Sequence, residues 1–448
     1  MVNMKRNHQT YFLASLGCAK NTVDSESMAL LLNSAGYRPV EDPHKADVMI
    51  VNTCGFIHDA RQESIEVLQD LSKSKKRGQI LLAAGCLPQR DAELITQAVP
   101  KIDGLLSTRR WMQIVQFIET IRSQPSSHAL YDIPPDNMPS LEPGGVLRSA
   151  IQGGSAYLKI ADGCRRGCAY CSIPLIKGPV SSRKMEDILA DARVLEQAGV
   201  QELILIAQDT TDYGSDLGLK DGLSQLLEQM VREVPSIPWI RLMYTFPGYI
   251  TDRLIDLMAS SRQILPYLDL PLQHAHPDVL KSMHRPSDME WVRGTLAKMR
   301  SKIPALALRT TFIVGYPTET DERFSALLDF TREIRFDHLG AFTYSFEPGT
   351  RGAPLGDPVS EEIKQERLQQ LMQIQEEIAL ENNRAFVGRE MQVLIDGAGD
   401  GISIGRTYRD APEVDGLVIL AGETEVGSLV NARITQAMPH DFTAEIIP

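Results

Sequence analysis

Short apolar runs alternate with helical patterns along most of this chain of 448 residues. Such alternation is typical of a parallel β-sheet covered by helices, because parallel neighbours need a long crossover connection between them. In the first part of the chain we predict strands at 11–16, 48–52, 80–84 and 104–106, and helices at 22–35, 58–74, 89–98 and 110–122. The pattern therefore predicts an α/β domain with a parallel sheet over residues 9–122.

Three of the six cysteines each come directly after one of these predicted strands. Cys18 ends the stretch SLGC, Cys54 ends VNTC and Cys86 ends AAGC. The loops at the carboxyl edge of an open α/β sheet form its ligand site. We therefore expect three cysteines that are distant in sequence to converge in space.

Proline and glycine interrupt the pattern at 123–150, which we predict to be a linker. Six strand–helix units follow, and their predicted strands are 156–161, 202–208, 239–245, 268–272, 308–314 and 339–344. Six units make three-quarters of an eight-unit barrel. We predict a core domain at 151–385 that contains a partial (β/α)6 barrel, open on one side, and ends in a helix at 361–385.

Residues 386–448 change character, with short strand patterns separated by glycine and aspartate. The predicted strands are 391–395, 402–406, 417–420 and 429–435. This pattern predicts a small antiparallel β-barrel as the last domain.

The remaining cysteines lie together in DGCRRGCAYC at 162–171, directly after a predicted strand. Thiolates are soft ligands that suit iron–sulfur clusters or zinc. Cys164, Cys168 and Cys171 could reach three corners of a cubane cluster and leave its fourth iron open. Zinc usually takes four ligands, and no fourth cysteine or close histidine is present here. Three buried cysteines without a metal are the other alternative.

This CxxxCxxC motif, with Tyr170 before its last cysteine, resembles that of the radical S-adenosylmethionine superfamily. The resemblance implies a 4Fe-4S cluster whose open iron binds S-adenosylmethionine, and cleavage of that cofactor to a carbon radical that abstracts hydrogen. Arg183 is a candidate to bind the cofactor's carboxylate, or is a solvated arginine at a helix start. Gln208 and Gly315 follow predicted strands and are further candidate contacts. A lone histidine such as His274 is more often structural than catalytic.

The surroundings of the first three cysteines resemble the N-terminal domain of the methylthiotransferases. The matching stretches are SLGCAKN at 15–21, VDSE at 23–26, NTCGF at 52–56 and GCLPQ at 85–89. With the central motif and the C-terminal barrel, which resembles a TRAM domain, the likeness covers nearly the whole chain. It implies that Cys18, Cys54 and Cys86 hold a second 4Fe-4S cluster, from which sulfur is inserted.

Two classes of methylthiotransferase differ in substrate: one modifies an adenosine in tRNA, and the RimO family modifies an aspartate β-carbon in the twelfth protein of the small ribosomal subunit. The stretches SLGCAKNTVDSE at 15–26 and GRTYRDAPEVDG at 405–416 resemble the RimO family. The stretch YSFEPGT at 344–350 does not discriminate between the classes. A tRNA enzyme and a non-enzymatic metal scaffold are the alternative functions.

Charge supports a protein substrate. The chain has a formal net charge of −12, and residues 386–448 carry ten acidic and four basic side chains, a net charge of −6. RNA-binding domains are usually basic, whereas an acidic barrel suits a basic ribosomal protein, free or within the ribosome. The alternative explanation is that the negative charge only keeps the protein soluble. We further expect an electron donor as partner, no tRNA, no signal peptide or membrane span, and a cytoplasmic location.

Overall fold

The computed structural model describes residues 9–124, 128–135, 138–140 and 144–447. Its first sheet consists of β1 (Thr10–Ser15), β2 (Arg38–Pro39), β3 (Val48–Thr53), β4 (Ile80–Gly85), β5 (Gly104–Ser107) and β6 (Leu130–Asp132). The strand order is β2-β1-β3-β4-β5-β6, and every pairing is parallel. The helices of this region are α1 (Ala19–Ser34), α2 (His58–Ser74), α3 (Cys86–Arg90), α4 (Ala92–Ala98) and α5 (Ile114–Ser123). The predicted parallel-sheet α/β architecture is confirmed.

Both faces of this sheet are covered. Val48 and Ile50 of β3 belong to one buried apolar cluster, whereas Met49 and Val51 belong to another. Successive strand residues point to opposite faces, so a strand buried on both sides has to be apolar throughout. This explains why β3 and β4 appear in the sequence as continuous apolar runs.

Part of the stretch predicted as a linker contributes a strand instead. Residues 130–132 form β6, which pairs in parallel with β5 and extends the first sheet. Short strands lack a clear period in the sequence, and the prolines around this one indicate a loop. Residues 125–127, 136–137 and 141–143 of the predicted linker lie outside the described residues.

The second sheet is the partial barrel. Its strands are β7 (Ser149–Gln152), β8 (Ser155–Lys159), β11 (Glu202–Ile206), β12 (Trp239–Leu242), β13 (Ile264–Asp269), β14 (Ala307–Val314) and β15 (His338–Thr343), and β9 (Ala161–Asp162) pairs separately with β10 (Ser181–Ser182). The six strands β8, β11, β12, β13, β14 and β15 lie side by side in this order, and each pairs in parallel with its neighbours. The predicted six-unit architecture is confirmed.

Eight α-helices lie between residues 173 and 384 among the described residues, and the first of them, α6, belongs to the first compact unit. They are α6 (Ile173–Lys177), α7 (Met185–Gln197), α8 (Gly222–Glu233), α9 (Asp252–Ser260), α10 (Pro277–Ser282), α11 (Met289–Lys302), α12 (Asp321–Ile334) and α13 (Glu361–Arg384). As the sequence indicates, Ser360 caps α13: its hydroxyl accepts a hydrogen bond from the Ile363 amide at 3.4 Å.

The C-terminal barrel is closed and has five strands. These are β16 (Glu390–Gly399), β17 (Ile402–Arg406), β18 (Val418–Ala421), β19 (Leu429–Ala437) and β20 (Phe442–Ile446). The sequence predicts four of them and an antiparallel arrangement. The additional strand, β20, pairs antiparallel with β19 but parallel with β18, and this pairing closes the barrel.

The chain divides into two compact units. The first contains the described residues up to Ala150 with Ala161–Arg166 and Cys171–Asp187, and the second contains Ile151–Ile160, Gly167–Tyr170 and Ile188–Pro448. The C-terminal barrel and the partial barrel therefore belong to the same unit. Within the part of the chain that the structure describes, no helix is long and apolar enough to cross a membrane.

A buried network of charges joins the two barrels of the second unit. The carboxylate of Glu202, the first residue of β11, contacts Arg241 Nε at 2.6 Å and Arg406 Nη2 at 2.9 Å. Arg406 lies at the end of β17 and also contacts Asp396 at 2.7 Å. Burial alone would raise the pKa of Glu202, but the two guanidinium groups hold it at about 2.

The same junction explains the stretch 405–416, which carries much of the resemblance to one methylthiotransferase class. The hydroxyl of Tyr267 donates to Asp415 at 2.7 Å, and Arg309 Nε contacts the same carboxylate at 3.2 Å. Arg409 contacts Asp337 at 2.7 Å. Arg406, Arg409 and Asp410 of this stretch are therefore buried at the contact between the barrels, and the Asp415 side chain is also buried there, so these groups do not form an exposed substrate-binding surface.

We predict that Glu202→Gln lowers the free energy of unfolding by about 3–5 kcal/mol at neutral pH, because two buried guanidinium groups lose their shared carboxylate. Urea unfolding followed by circular dichroism measures this change. The difference in unfolding free energy between the variant and the unsubstituted protein should shrink as the pH falls from about 4.5, the ordinary pKa of a glutamate, towards about 2, the pKa of Glu202 in the folded protein. Protonation of Glu202 then removes the same interaction as the substitution.

The matched control is Glu228→Gln, which breaks the exposed pair with Arg253 at 2.8 Å. Surface ion pairs contribute at most about 1 kcal/mol. Equal destabilisation by the two substitutions would contradict the importance assigned to the network.

Candidate functional site

The first three cysteines lie at the carboxyl ends of three adjacent strands. Cys18 follows β1 and precedes α1, Cys54 follows β3, and Cys86 begins α3 directly after β4. A Cβ atom added to Gly17 would lie 3.1 Å from Cys54 Sγ, and one added to Gly55 would lie 2.9 Å from the Cys86 carbonyl carbon. The backbones that carry the three thiols therefore approach each other closely, as the sequence predicts.

Asn21, in the first turn of α1, connects these three loops. Its amide nitrogen donates to the carbonyls of Leu16 at 2.8 Å and Thr53 at 3.1 Å. Its amide oxygen lies 3.6 Å from the Sγ atom of Cys86. One buried side chain thus contacts the segments that precede Cys18 and Cys54, and Cys86 itself.

Gly85 allows β4 to turn directly into the helix that begins with Cys86. Its φ is +98°, and a Cβ atom here would lie 2.3 Å from Asn52 Oδ1 and 2.7 Å from the Thr53 carbonyl oxygen. Only glycine adopts this conformation without strain and leaves room for the neighbouring chain.

The three thiols differ in exposure. Cys18 is exposed, whereas Cys54 and Cys86 are buried. Burial raises the pKa of Cys54, and it raises the pKa of Cys86 to about 12 despite the opposing effect of the Lys177 cation. The free thiols of Cys54 and Cys86 are therefore protonated at neutral pH, and binding of iron has to displace their protons.

The donor set fits an iron–sulfur cluster. Among the described residues, no three His, Cys, Asp or Glu side chains are close enough together to ligate one metal ion. A cubane cluster binds its three thiolates at three different iron atoms, so these ligands stand farther apart than those of a single zinc ion. Three thiols at neighbouring strand ends match that requirement.

A buried ionic network of the first unit lies near this site. Lys177 Nζ contacts Asp24 at 3.0 Å and Asp162 at 3.1 Å. Arg148 contacts the other oxygen of Asp24 at 2.6 Å and stacks on the Trp111 ring, 4.0 Å from its centroid. Burial would lower the pKa of Lys177, but the two carboxylates raise it, so the lysine remains a cation. The sequence offered no signal for this pairing, because its members are far apart along the chain.

The CxxxCxxC loop divides between the two units. In the first unit, the Cys164 amide donates to the Gly178 carbonyl at 3.0 Å. In the second unit, the Ala169 amide donates to the Met283 carbonyl at 2.9 Å, and the Ala169 carbonyl accepts from the Gly352 amide at 2.7 Å. Because both the amide and the carbonyl of Ala169 are hydrogen-bonded, the backbone beside Cys168 is held in position.

Arg285 is a residue of this region that the sequence analysis missed. Its Nη1 atom lies 3.7 Å from Cys168 Sγ, and its Nη2 atom donates to the Pro271 carbonyl. The guanidinium group also stacks on Phe246, 4.1 Å from the ring centroid. Arginines are common, and nothing in the local sequence distinguishes this one.

The candidate cofactor contacts belong to both compact units. Gln208 and Gly315 follow β11 and β14 of one sheet, and Tyr170 packs against a buried cluster of the same unit. Arg183 is 2% exposed and belongs to the first unit, so it is not the solvated arginine considered above. Their contacts with S-adenosylmethionine stay predictions.

Glu319 organises the backbone at Gly315. Its carboxylate accepts from the Gly315 amide at 2.7 Å, contacts Arg367 at 2.7 Å and contacts His274 Nε2 at 2.8 Å. His274 is fully buried, and this burial lowers its pKa. The histidine is therefore structural, as expected.

Comparison with known proteins agrees with this arrangement. The chain matches the uncharacterized protein family UPF0004 over residues 10–107, the radical SAM superfamily over 158–331 and the TRAM domain over 387–447. It is 44% identical to the ribosomal protein uS12 methylthiotransferase RimO of Roseiflexus sp. (strain RS-1), over 98% of this chain and 97% of the relative. The chain belongs to the RimO family. Its counterpart in Herpetosiphon aurantiacus is also 44% identical, over 98% of this chain and 100% of the relative.

Solved structures agree at the level of the fold. The radical S-adenosylmethionine methyltransferase TsrM from Kitasatospora setae, solved with cobalamin and a 4Fe-4S cluster bound, has a TM-score of 0.56 at 12% identity. The match covers 77% of this chain and 74% of that one. The predicted fold class and family are both confirmed.

We predict that Asn21→Ala destabilises the apoprotein by about 1–3 kcal/mol, because the half-buried Leu16 carbonyl and the buried Thr53 carbonyl lose a donor. It should also speed alkylation of Cys54 and Cys86 by a maleimide, which peptide mass mapping measures thiol by thiol. Asn33→Ala is the control, since Asn33 is exposed and, among the described contacts, its side chain accepts only from the Tyr11 hydroxyl, at 3.2 Å. Unchanged alkylation in Asn21→Ala would contradict the connecting role of this side chain.

Proposed function

We propose that this protein inserts a methylthio group at the β-carbon of an aspartate in ribosomal protein uS12. The proposal follows the activity named for its full-length relatives. The observation that carries it is the second set of cysteines. A radical S-adenosylmethionine enzyme needs only the CxxxCxxC motif, whereas sulfur insertion requires a sulfur source. Three further thiols at adjacent strand ends provide a place for one.

Two 4Fe-4S clusters and S-adenosylmethionine are the cofactors of this proposal. When bound, these cofactors supply the sulfur atom, the methyl group, and a carbon radical that removes hydrogen from the substrate. Cys164, Cys168 and Cys171 would hold the cluster that binds S-adenosylmethionine, and Cys18, Cys54 and Cys86 would hold the other. With three protein thiolates for each cluster, one iron of each would remain open to an exogenous ligand.

The chain's own residues provide rigid support for this chemistry. Asn21 and Gly85 fix the loops around the buried thiols. Glu319 orients the backbone amide of Gly315, at the end of a barrel strand where ligands of such folds bind. Gly315 has a φ of +73°, and a Cβ atom there would lie 2.4 Å from Lys364 Cγ, so a larger residue would displace this edge.

Several observations favour a protein substrate over tRNA. The C-terminal barrel carries a net charge of −6, which repels RNA phosphates and attracts a basic ribosomal protein. The full-length relatives are also named for uS12. We further propose a cytoplasmic enzyme that receives electrons from a separate donor protein.

The test is mass spectrometry of uS12 and of tRNA nucleosides from cells with and without this protein. We expect the methylthio group on the uS12 aspartate to disappear on deletion, while methylthio-adenosine persists. The reverse result would overturn the substrate. Bound zinc without S-adenosylmethionine cleavage in the anaerobically reconstituted protein would favour a metal scaffold instead.

We predict different losses in two cysteine variants of the reconstituted enzyme. Cys168→Ala should abolish S-adenosylmethionine cleavage, because the cluster that binds this cofactor would lose one of its three protein ligands. Cys54→Ala should retain cleavage but no longer insert sulfur, because it affects only the other cluster. Chromatography of 5′-deoxyadenosine and mass spectrometry of uS12 separate the two activities, and each variant is the control for the other. Equal loss of cleavage in both would contradict this division.

A further inference from the structure

A basic cleft lies within the first unit, at the amino-terminal edge of its sheet. It has a volume of about 880 Å³ and is bordered by the loop 75–79, the segment 101–103 and the end of α5. The strands β4, β5 and β6 begin at this edge, whereas Cys18, Cys54 and Cys86 follow strands at the opposite edge. The cleft is therefore separate from the candidate cluster site.

Cations dominate the lining of this cleft. The described lining residues include five cations and a single carboxylate, Asp103. The cations are Lys75, Lys76, Arg77, Lys101 and Arg122. These five cations and one anion give the lining a net charge of +4, in a chain whose formal net charge is −12. General solubility does not explain such a local excess of the opposite sign.

Part of this charge is held in position. Lys75 pairs with Asp103 and donates to the Lys101 carbonyl at 2.8 Å, which fixes the border of the cleft. Lys76 Nζ donates to the His44 carbonyl at 3.0 Å. Arg122 donates to the Tyr37 hydroxyl at 3.1 Å and stacks on its ring. The His44 carbonyl and the Tyr37 hydroxyl are neutral, so they orient Lys76 and Arg122 without cancelling their charge.

We propose that this basic cleft binds the phosphate backbone of ribosomal RNA beside uS12 when the enzyme acts on the small ribosomal subunit. The proposal rests on the proposed function. The cleft is open and its exposed cations come from separate segments, which suits a run of phosphates better than one enclosed anion. Among the described lining residues there is no Phe, Tyr or Trp for base stacking. The contact would therefore position the enzyme without selecting a sequence.

The test is the salt dependence of binding between the reconstituted full-length enzyme and purified small ribosomal subunits. Each phosphate contact contributes about −0.7 to −0.9 to the slope of log affinity against log salt. The double variant Lys76→Glu/Arg77→Glu should bind more weakly, with a slope that is less steep by about 1.4–1.8. Lys76→Gln/Arg77→Gln should show a smaller loss of affinity, since it removes charge without reversing it.

The matched control is Lys220→Glu/Arg262→Glu, which reverses two exposed charges in the second unit. An unchanged slope in the cleft variant, or an equal change in the control, would overturn the proposal. Weaker binding of the cleft variant to free uS12 but not to naked ribosomal RNA would indicate a protein-binding site and would also overturn it. Modification of free uS12 by the unsubstituted enzyme tests the proposed function separately.

A second inference concerns Arg285, whose Nη1 atom lies 3.7 Å from Cys168 Sγ. Arg285 is 8% exposed, and its guanidinium group is fixed by Phe246 and the Pro271 carbonyl. Among the described residues, its Nε atom has no hydrogen-bond partner. We infer that Arg285 raises the reduction potential of the cluster held by Cys168, because a cation and hydrogen-bond donor at a ligand sulfur stabilises the added electron. This inference also rests on the proposed function.

The test is a redox titration followed by electron paramagnetic resonance, without S-adenosylmethionine and in a Cys54→Ala background. At a fixed potential, Arg285→Met should reduce the ratio of reduced to oxidised cluster about tenfold, which corresponds to a shift of about 59 mV for one electron. Arg285→Lys retains the charge and should recover part of the shift. Iron content confirms that each variant holds its cluster. An unchanged reduction potential in Arg285→Met would overturn the inference. A lower affinity for S-adenosylmethionine with an unchanged potential would overturn it as well.

Discussion

Parallel pairing places the carboxyl ends of neighbouring strands at one edge of a sheet, and the proposed chemistry depends on this constraint. Adjacent strands β1, β3 and β4 bring together Cys18, Cys54 and Cys86, although tens of residues separate them. The second sheet uses the same constraint, because Gln208 and Gly315 follow two of its parallel strands. Small changes at these edges, such as a side chain at Gly85, would displace a proposed ligand.

Buried charges are the second organising principle. Glu202 is shared by Arg241 and Arg406 between two barrels, and Asp24 is shared by Lys177 and Arg148 in the first unit. A buried pair gains little over an apolar contact, but losing one partner leaves a charge without compensation. Such networks therefore favour one arrangement of the joined elements.

Much of the fold could be predicted because its strands and helices have clear local periods. The sequence analysis missed β20, and it took β6 for linker, because short strands beside proline or glycine have no distinct period. It located all six cysteines, but it assigned no role to Asn21 of the stretch SLGCAKN and missed Arg285. Their importance lies in contacts with Leu16, Thr53 and Cys168 that no local pattern records.

The sequence by itself determined the α/β architecture, the cysteine positions and the family, because apolar periodicity and motif spacing are local properties. Only the tertiary structure decided what several motif residues do. The stretch 405–416 resembles the RimO family in sequence, yet Arg406 and Asp415 are buried against Glu202, Tyr267 and Arg309. Likewise, the basic cleft combines residues from three segments of an acidic chain. Burial and local charge depend on contacts between distant residues, which sequence spacing does not specify.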